Sequence, residues 1–267
     1  MPLITIKSIY FKIVLIGLYS AFSSNLFAHE PILICHRAMS GYPENTKIGL
    51  KAAIKAGYQK VECDIARTKD GIFVLSHDAT IDRCSNGKGK IEDLTYKQLK
   101  KYDFGVWYDS IYKDTRIVTL EKMLKICRRK KVSIELDLAD EKRFKNEYML
   151  DIYNLVEKKR MLNYTFFTAK KNRLLQLRNV DKKINLSVSA VTNNNTIDSA
   201  VELKKIADII NVSVPYQHLT KELCDYAHKK GLYVKTWTLK YKADVEKAIN
   251  MGVDFIIVEN ILPNAQK

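Results

Sequence analysis

The sequence of 267 residues offers nowhere to cut it: its five prolines and ten glycines are dispersed, and no Pro-, Gly- or Ser-rich linker interrupts it. A second domain is therefore not indicated. Metal-site cysteine spacing is absent too. Cys35, Cys63, Cys84, Cys127 and Cys224 are widely separated and odd in number, which excludes a thiolate zinc scaffold and singles out no disulfide. Nor is there an apolar run of the ~20 residues a membrane span needs. The longest candidate, IVLIGLYSAF, follows Lys7 and Lys12 and gives way to small and polar residues ending at Ala28. That pattern predicts a secretory signal over residues 1–28 and a mature chain of 29–267, exported to a periplasm or secreted. No cysteine follows the run closely enough for a lipid anchor.

An acidic balance is also lacking. Lys and Arg number 45 against 30 Asp and Glu, net +15, and the part beyond residue 28 keeps +13. The basic runs KQLKKY (97–102) and KICRRKK (125–131) carry no aromatic interleaving and no nucleic-acid motif, so nucleic acid is not the expected partner. The expected partner is a small anionic substrate, drawn by a positive field. Membrane contact would need an exposed apolar rim, for which YDFGVWYD (102–109) is the candidate segment.

What is present is alternation. Nine short Ile- and Val-rich runs, from ILICHR (32–37) to FIIVEN (255–260), are separated by amphipathic helical periods such as Asn45 to Ala56, Thr119 to Lys130 and Lys142 to Lys158. Strand–helix alternation without a composition break predicts one parallel α/β domain. Only a few turn residues around Asp70 and Gly71 separate the second run from the third, and a parallel crossover needs a dozen or more. Those two must form an antiparallel hairpin. Eight strands remain, which predicts a (β/α)8 TIM barrel with an antiparallel hairpin arm after strand 2.

The stretch VECDIARTKDGIFVLSHD (61–78) places charge where a strand should be apolar. Residues i and i+2 share a strand face, so Glu62 and Asp64 point together, as do Glu135 and Asp137 two strands on, and the hairpin brings His77 close. His36 and Arg37 end the first strand. All lie toward strand carboxyl ends, where barrels carry their sites. Converging carboxylates call for a hard divalent cation, the histidines suit proton transfer near neutral pH, and an arginine suits a phosphate.

HRAMSGYPENT (36–46), VECDIARTKDG (61–71), VLSHDATIDRCSNGKG (74–89) and YDFGVWYD (102–109), with IELDL (134–138), VKTWTL (234–239) and MGVDFIIVEN (251–260), resemble the glycerophosphodiester phosphodiesterase family. The resemblance implies hydrolysis of glycerophosphodiesters to glycerol phosphate and an alcohol, with the substrate's own hydroxyl or water as nucleophile. It implies His36 and His77 as the acid–base pair and Arg37 on the phosphate. Glu62, Asp64 and Glu135 would hold one divalent cation, Ca2+ or Mg2+, and Trp237 would pack on the glycerol. The alternatives are a phospholipase-type or other head-group phosphodiesterase, or a non-catalytic module binding phosphorylated ligands.

The chain departs from the family pattern in several places. Ala38 replaces a glycine after His-Arg, Thr168-Ala169 replaces Ser-Phe, Lys240 replaces an Asn, and Glu259-Asn260 replaces Thr-Asp. Glu-x-Lys becomes Glu135-Leu136-Asp137, which reverses a charge at the site. Two roles are open for Lys235, which shares a strand face with Trp237: entering the site in place of the lost amine, or pairing with Glu259. Asp137 is expected to add a metal ligand or to contact a substrate hydroxyl or cationic head group.

Overall fold

A computed structural model describes residues 30–204 and 210–263; the secretory signal read in residues 1–28 lies outside them. The strands are β1 (Ile32–Cys35), β2 (Lys60–Arg67), β3 (Phe73–Leu75), β4 (Ser133–Asp137), β5 (Thr165–Ala169), β6 (Asn185–Val188), β7 (Ile210–Pro215), β8 (Tyr233–Leu239) and β9 (Phe255–Val258). Neighbours run β1-β9-β8-β7-β6-β5-β4-β2, all parallel, and β1 pairs with β2 to close the ring. The ninth strand, β3, pairs antiparallel with the outer end of β2, Ile65 against Leu75. The eight-stranded barrel with a hairpin arm is thus the observed architecture.

The helices are α1 (Lys47–Lys55), α2 (Tyr96–Leu99), α3 (Leu120–Lys130), α4 (Met149–Lys158), α5 (Lys171–Val180), α6 (Asn194–Val201), α7 (Lys221–Lys229) and α8 (Lys242–Asn250). Several begin at a side chain that satisfies an otherwise orphaned amide. Thr46, Thr119 and Thr220 accept from the amides of Gly49, Lys122 and Leu223. Helical periodicity places a helix start at Lys142, yet α4 begins only at Met149. The intervening loop turns Arg143 inward until its side chain is buried, and a solvent-facing helical turn would point it elsewhere.

Alternate residues of each strand face opposite ways. The outward set, including Val61, Cys63, Ile65, Ile134, Leu136, Phe167, Leu186, Val212, Val234 and Ile256, packs with the helices in one continuous apolar core. The inward set is unusually polar: Lys60, Glu62, Asp64, Glu135, Thr168, Ser187, Asn211, Ser213 and Lys235 are all buried. Apolar side chains gather where Ile34, Phe255 and Ile257 meet Tyr233, and Phe166 lies beside Glu135. The excursion after β3 has a small core of its own from Val74, Ile81, Ile91, Leu99, Phe104 and Ile117. All five cysteines are free thiols.

Candidate active site

The register of β2 against β4 sets the site. Glu62 lies beside Glu135 and Asp64 beside Asp137, so the two i, i+2 pairs stack in two layers. The upper layer faces the strand carboxyl ends. Carboxylate oxygens of Glu62, Asp64 and Asp137 all lie within 4.8 Å of one another. Burial, then the charges of Asp64 and Asp137, push the Glu62 carboxyl well above its ordinary pKa. Asp137 is also raised, by burial and by Asp64 against the pull of Arg143.

Glu135, which the resemblance implies as the third ligand, makes its contacts in the layer below that cluster. Its carboxylate is ion-paired with the Lys235 ammonium, lies 3.3 Å from Lys60 Nζ, and accepts from Thr168 Oγ1 at 2.8 Å. Burial alone would raise its pKa, but the two ammonium groups win and lower it to about 2. Lys60 in turn lies 3.3 Å from the centroid of the Phe166 ring. Burial lowers its pKa to about 8, with Glu135 opposing.

Lys235 pairs with Glu135 rather than with Glu259. It is fully buried on Glu135, and the lysine that pairs with Glu259 is Lys240, just past the end of β8, at 3.0 Å. Asp137 receives the Ala139 amide at 2.8 Å. Arg143 Nη2 bridges Asp64 and Asp137, at 3.1 Å from each. Its Nη1 donates to the carbonyls of Ile65 and Asp137.

Each histidine is held by a carboxylate. His36 Nδ1 is 2.7 Å from Glu259 Oε1, and His77 Nδ1 is 2.7 Å from Asp78 Oδ1. A carboxylate at neutral pH only accepts, so Nδ1 carries the proton and the neutral ring keeps its lone pair on Nε2. The first contact follows from the sheet. Cys35 pairs with Val258, so the next residues of β1 and β9 emerge side by side.

The segment Pro43-Glu44-Asn45-Thr46 organises the rest. Glu44 accepts two bonds from Arg83 and two from Arg37. Burial would raise its pKa, but Arg83 and Arg37 hold it below the ordinary value. Asn45 donates to Asp64 Oδ2 at 2.9 Å and accepts the Asp64 amide at 3.1 Å. Arg83 also donates to Asp78 at 2.7 Å. A continuous path therefore runs from His77 through Asp78, Arg83, Glu44 and Arg37 to Asp64.

Arg37 and Ala38 adopt φ of 48° and 75°. The Ala38 amide donates to the Glu62 carbonyl and the Arg37 amide to Glu62 Oε2. The loop thus takes the left-handed backbone that glycine adopts freely, despite alanine there, at a cost of roughly 1 kcal/mol. Trp237, 41% exposed, stands at the mouth.

Sequence reasoning did not assign roles to Lys60, Glu44, Asn45, Arg83 or Arg143. Lys60 was within reach, being two residues before Glu62 on the same face. Arg143 gives no periodic signal.

Glu135→Gln removes the carboxylate charge that both buried ammonium groups contact. It is expected to lower unfolding free energy by about 3–5 kcal/mol in urea; unchanged or increased stability would contradict the counter-ion role. For Glu259, the hydrogen bond from His36, against burial and with Lys240, depresses the pKa from 4.5 to about 2. A depressed carboxylate contributes stability above 4.5 that is lost as pH falls through about 2. The urea-midpoint gap between wild type and Glu259→Gln should therefore narrow below pH 4.5. A gap independent of pH would count against it.

The sequence profile of the glycerophosphoryl diester phosphodiesterase family matches residues 36–262. A glycerophosphodiester phosphodiesterase of Caldanaerobacter subterraneus is 27% identical over 255 residues, spanning 86% of this chain and 95% of that protein. Among solved structures, a phosphodiesterase of Oleispira antarctica in complex with the product sn-glycerol-3-phosphate superposes with a TM-score of 0.75 at 20% identity, covering 85% of this chain and 92% of the other. A glycerophosphodiester phosphodiesterase of Thermotoga maritima gives 0.67 at 23% identity, covering 86% and 95%. These structures share the fold, and the profile match over nearly all the described residues settles the lineage: the chain belongs to the glycerophosphoryl diester phosphodiesterase family.

Proposed function

We propose that the chain hydrolyses glycerophosphodiesters to glycerol phosphate and an alcohol, with His36 and His77 as the proton-transfer pair and one divalent cation at the carboxylate cluster. The observation that carries the reading is the presence of two carboxylate-held histidines with Arg37 and the cluster Glu62, Asp64 and Asp137, His77 being linked to Asp64 by consecutive contacts and His36 adjoining Arg37 in the chain. A binding module has no use for two imidazoles each fixed in one tautomer.

The donor set fits a hard cation. It is all carboxylate oxygen, compact, and carries charge that Arg143 and Arg37 only partly offset. Glu62, Asp64 and Asp137 would hold the ion, and Mg2+ and Ca2+ both match such donors. Bound there, the cation would supply electrostatic stabilisation of the phosphoryl oxygens. The Arg37 guanidinium, tied to Glu44 and Asp64, is positioned to do the same for the phosphate from the protein side. Of the two Nε2 atoms, one accepts the proton of the nucleophile. The other, protonated, donates to the departing alkoxide and prevents its accumulation as an anion. Glu259 and Asp78 stabilise whichever ring is charged. Trp237 offers an aromatic face to the carbon edge of the glycerol.

The test is release of glycerol phosphate from choline-, ethanolamine- and inositol-bearing glycerophosphodiesters. His36→Ala and His77→Ala should each lower kcat by about 10²–10⁴-fold while leaving the melting temperature near wild type. Chelation should abolish turnover and either Mg2+ or Ca2+ restore it. No turnover with any diester under either ion, or undiminished rates in both histidine variants, would refute the proposal.

A further inference from the structure

We propose that the groove between α1 and α3, on the flank of the barrel, binds a linear chain of phosphate anions without bases, of the inorganic polyphosphate type. The groove lies outside the site described above, and its binding does not depend on the phosphodiesterase reading. It is a cavity of about 880 Å³. Lys47, Lys51 and Lys55 line it from successive turns of α1, and Lys122, Lys125, Arg129 and Lys130 from α3. None of these seven side chains makes an ion pair or hydrogen bond among the described residues, and all but Lys47 are exposed. The one acid among the described lining residues, Glu121, is already ion-paired with Lys159, just past the end of α4.

The arrangement opposes local helix energetics. Residues four apart rise about 6 Å along a helix axis and share one face, and like charges so placed repel. Lys47 stands in the first turn of α1, which contains no acid, and Lys122 in the first turn of α3. The positive end of the helix dipole disfavours a cation at both places. No described side chain offsets that charge, whereas a bound polyanion would. A single phosphate reaches only a few of these cations, but linked phosphates laid along the groove meet them in succession over the roughly 12 Å from Lys47 to Lys55. The groove is floored by Ile54 and Ile126, both half-buried, and no aromatic ring is among its described lining residues. Bases would have nothing to stack on, and a flat surface would not reach the recessed part, so a base-free chain is the class of ligand that fits. The sequence hides the patch because its two stripes come from helices separated by the whole excursion after β3.

The experiment is fluorescence anisotropy of the full chain with a dye-labelled inorganic polyphosphate over a salt series, in chelator so that no divalent cation bridges probe and protein. Binding should saturate, and its affinity should fall with salt at a log–log slope of about −3 or steeper, as the release of several counterions requires. Lys51→Gln combined with Lys125→Gln should weaken binding about tenfold or more and make the slope shallower by about 1–2. Glycerophosphocholine turnover, measured separately with the cation present, should stay within about twofold of wild type. Glu121→Gln should tighten binding, a gain that loss of fold cannot mimic. Lys182→Gln combined with Lys183→Gln, at exposed lysines between α5 and β6 and outside the groove, should leave binding unchanged. Absence of binding, equal losses in the two double variants, equal affinity for orthophosphate, or tighter binding of an oligothymidylate of matching charge would each overturn the proposal.

Discussion

Glu135, buried in the barrel lumen between Lys235 and Lys60, is the contact on which the rest of the site depends. An uncompensated charge at that depth costs several kcal/mol, so the three groups must stay together. Their association has a geometric consequence. That carboxylate is engaged by two ammonium groups and Thr168, while the next inward residue of β4 toward the mouth, Asp137, stands with Glu62 and Asp64. Around the lumen, the four carboxylates Glu62, Asp64, Glu135 and Asp137 meet four cationic side chains, Lys60, Lys235, Arg143 and Arg37. Among the described residues Glu62 alone of these carboxylates has no ion pair with a cationic side chain, and burial with the charges of Asp64 and Asp137 pushes its pKa up.

Above that floor, orientation is transmitted by carboxylates. Glu259 fixes His36 directly, and Asp78 fixes His77 while itself held by Arg83. Because Glu44 grips Arg83 and Arg37 together, the loop after β1 and the excursion after β3 cannot move independently at this point. The same Arg83 meets the aromatic loop at Trp107. The loop bearing Trp107 thus lies against the arginine that holds Asp78, and Gly105 permits its close crossing by Tyr112.

The architecture was legible because its signals are local. Strand parity placed Glu62 with Asp64 and Glu135 with Asp137, and the short turn near Gly71 identified β3 as an arm rather than a barrel strand. Choosing between Glu135 and Asp137 as partner of the cluster required something not local: which residues of β8 and β2 share a layer with Glu135 across the lumen. Lys235 shares a face with Trp237 in sequence, but whether its amine points at the mouth or at Glu135 depends on shear between strands that are not neighbours. Arg143 was hidden for another reason. A loop arginine carries no periodicity, and the helical pattern around it was misleading. Glu259 lay between these extremes, since its contact with His36 follows once β1 and β9 are known to pair.

Where the resemblance expects Glu-x-Lys, this chain has Glu135-x-Asp137, with a buried ammonium on β8, Lys235, against Glu135 and a carboxylate, Asp137, toward the mouth. The most direct test is anomalous diffraction from crystals grown with Mn2+ as a stand-in for the hard cation. The account predicts a single peak coordinated by Glu62, Asp64 and Asp137, with Lys235 still on Glu135. A peak coordinated by Glu135, with Lys235 swung away and Asp137 left on Arg143, would contradict it.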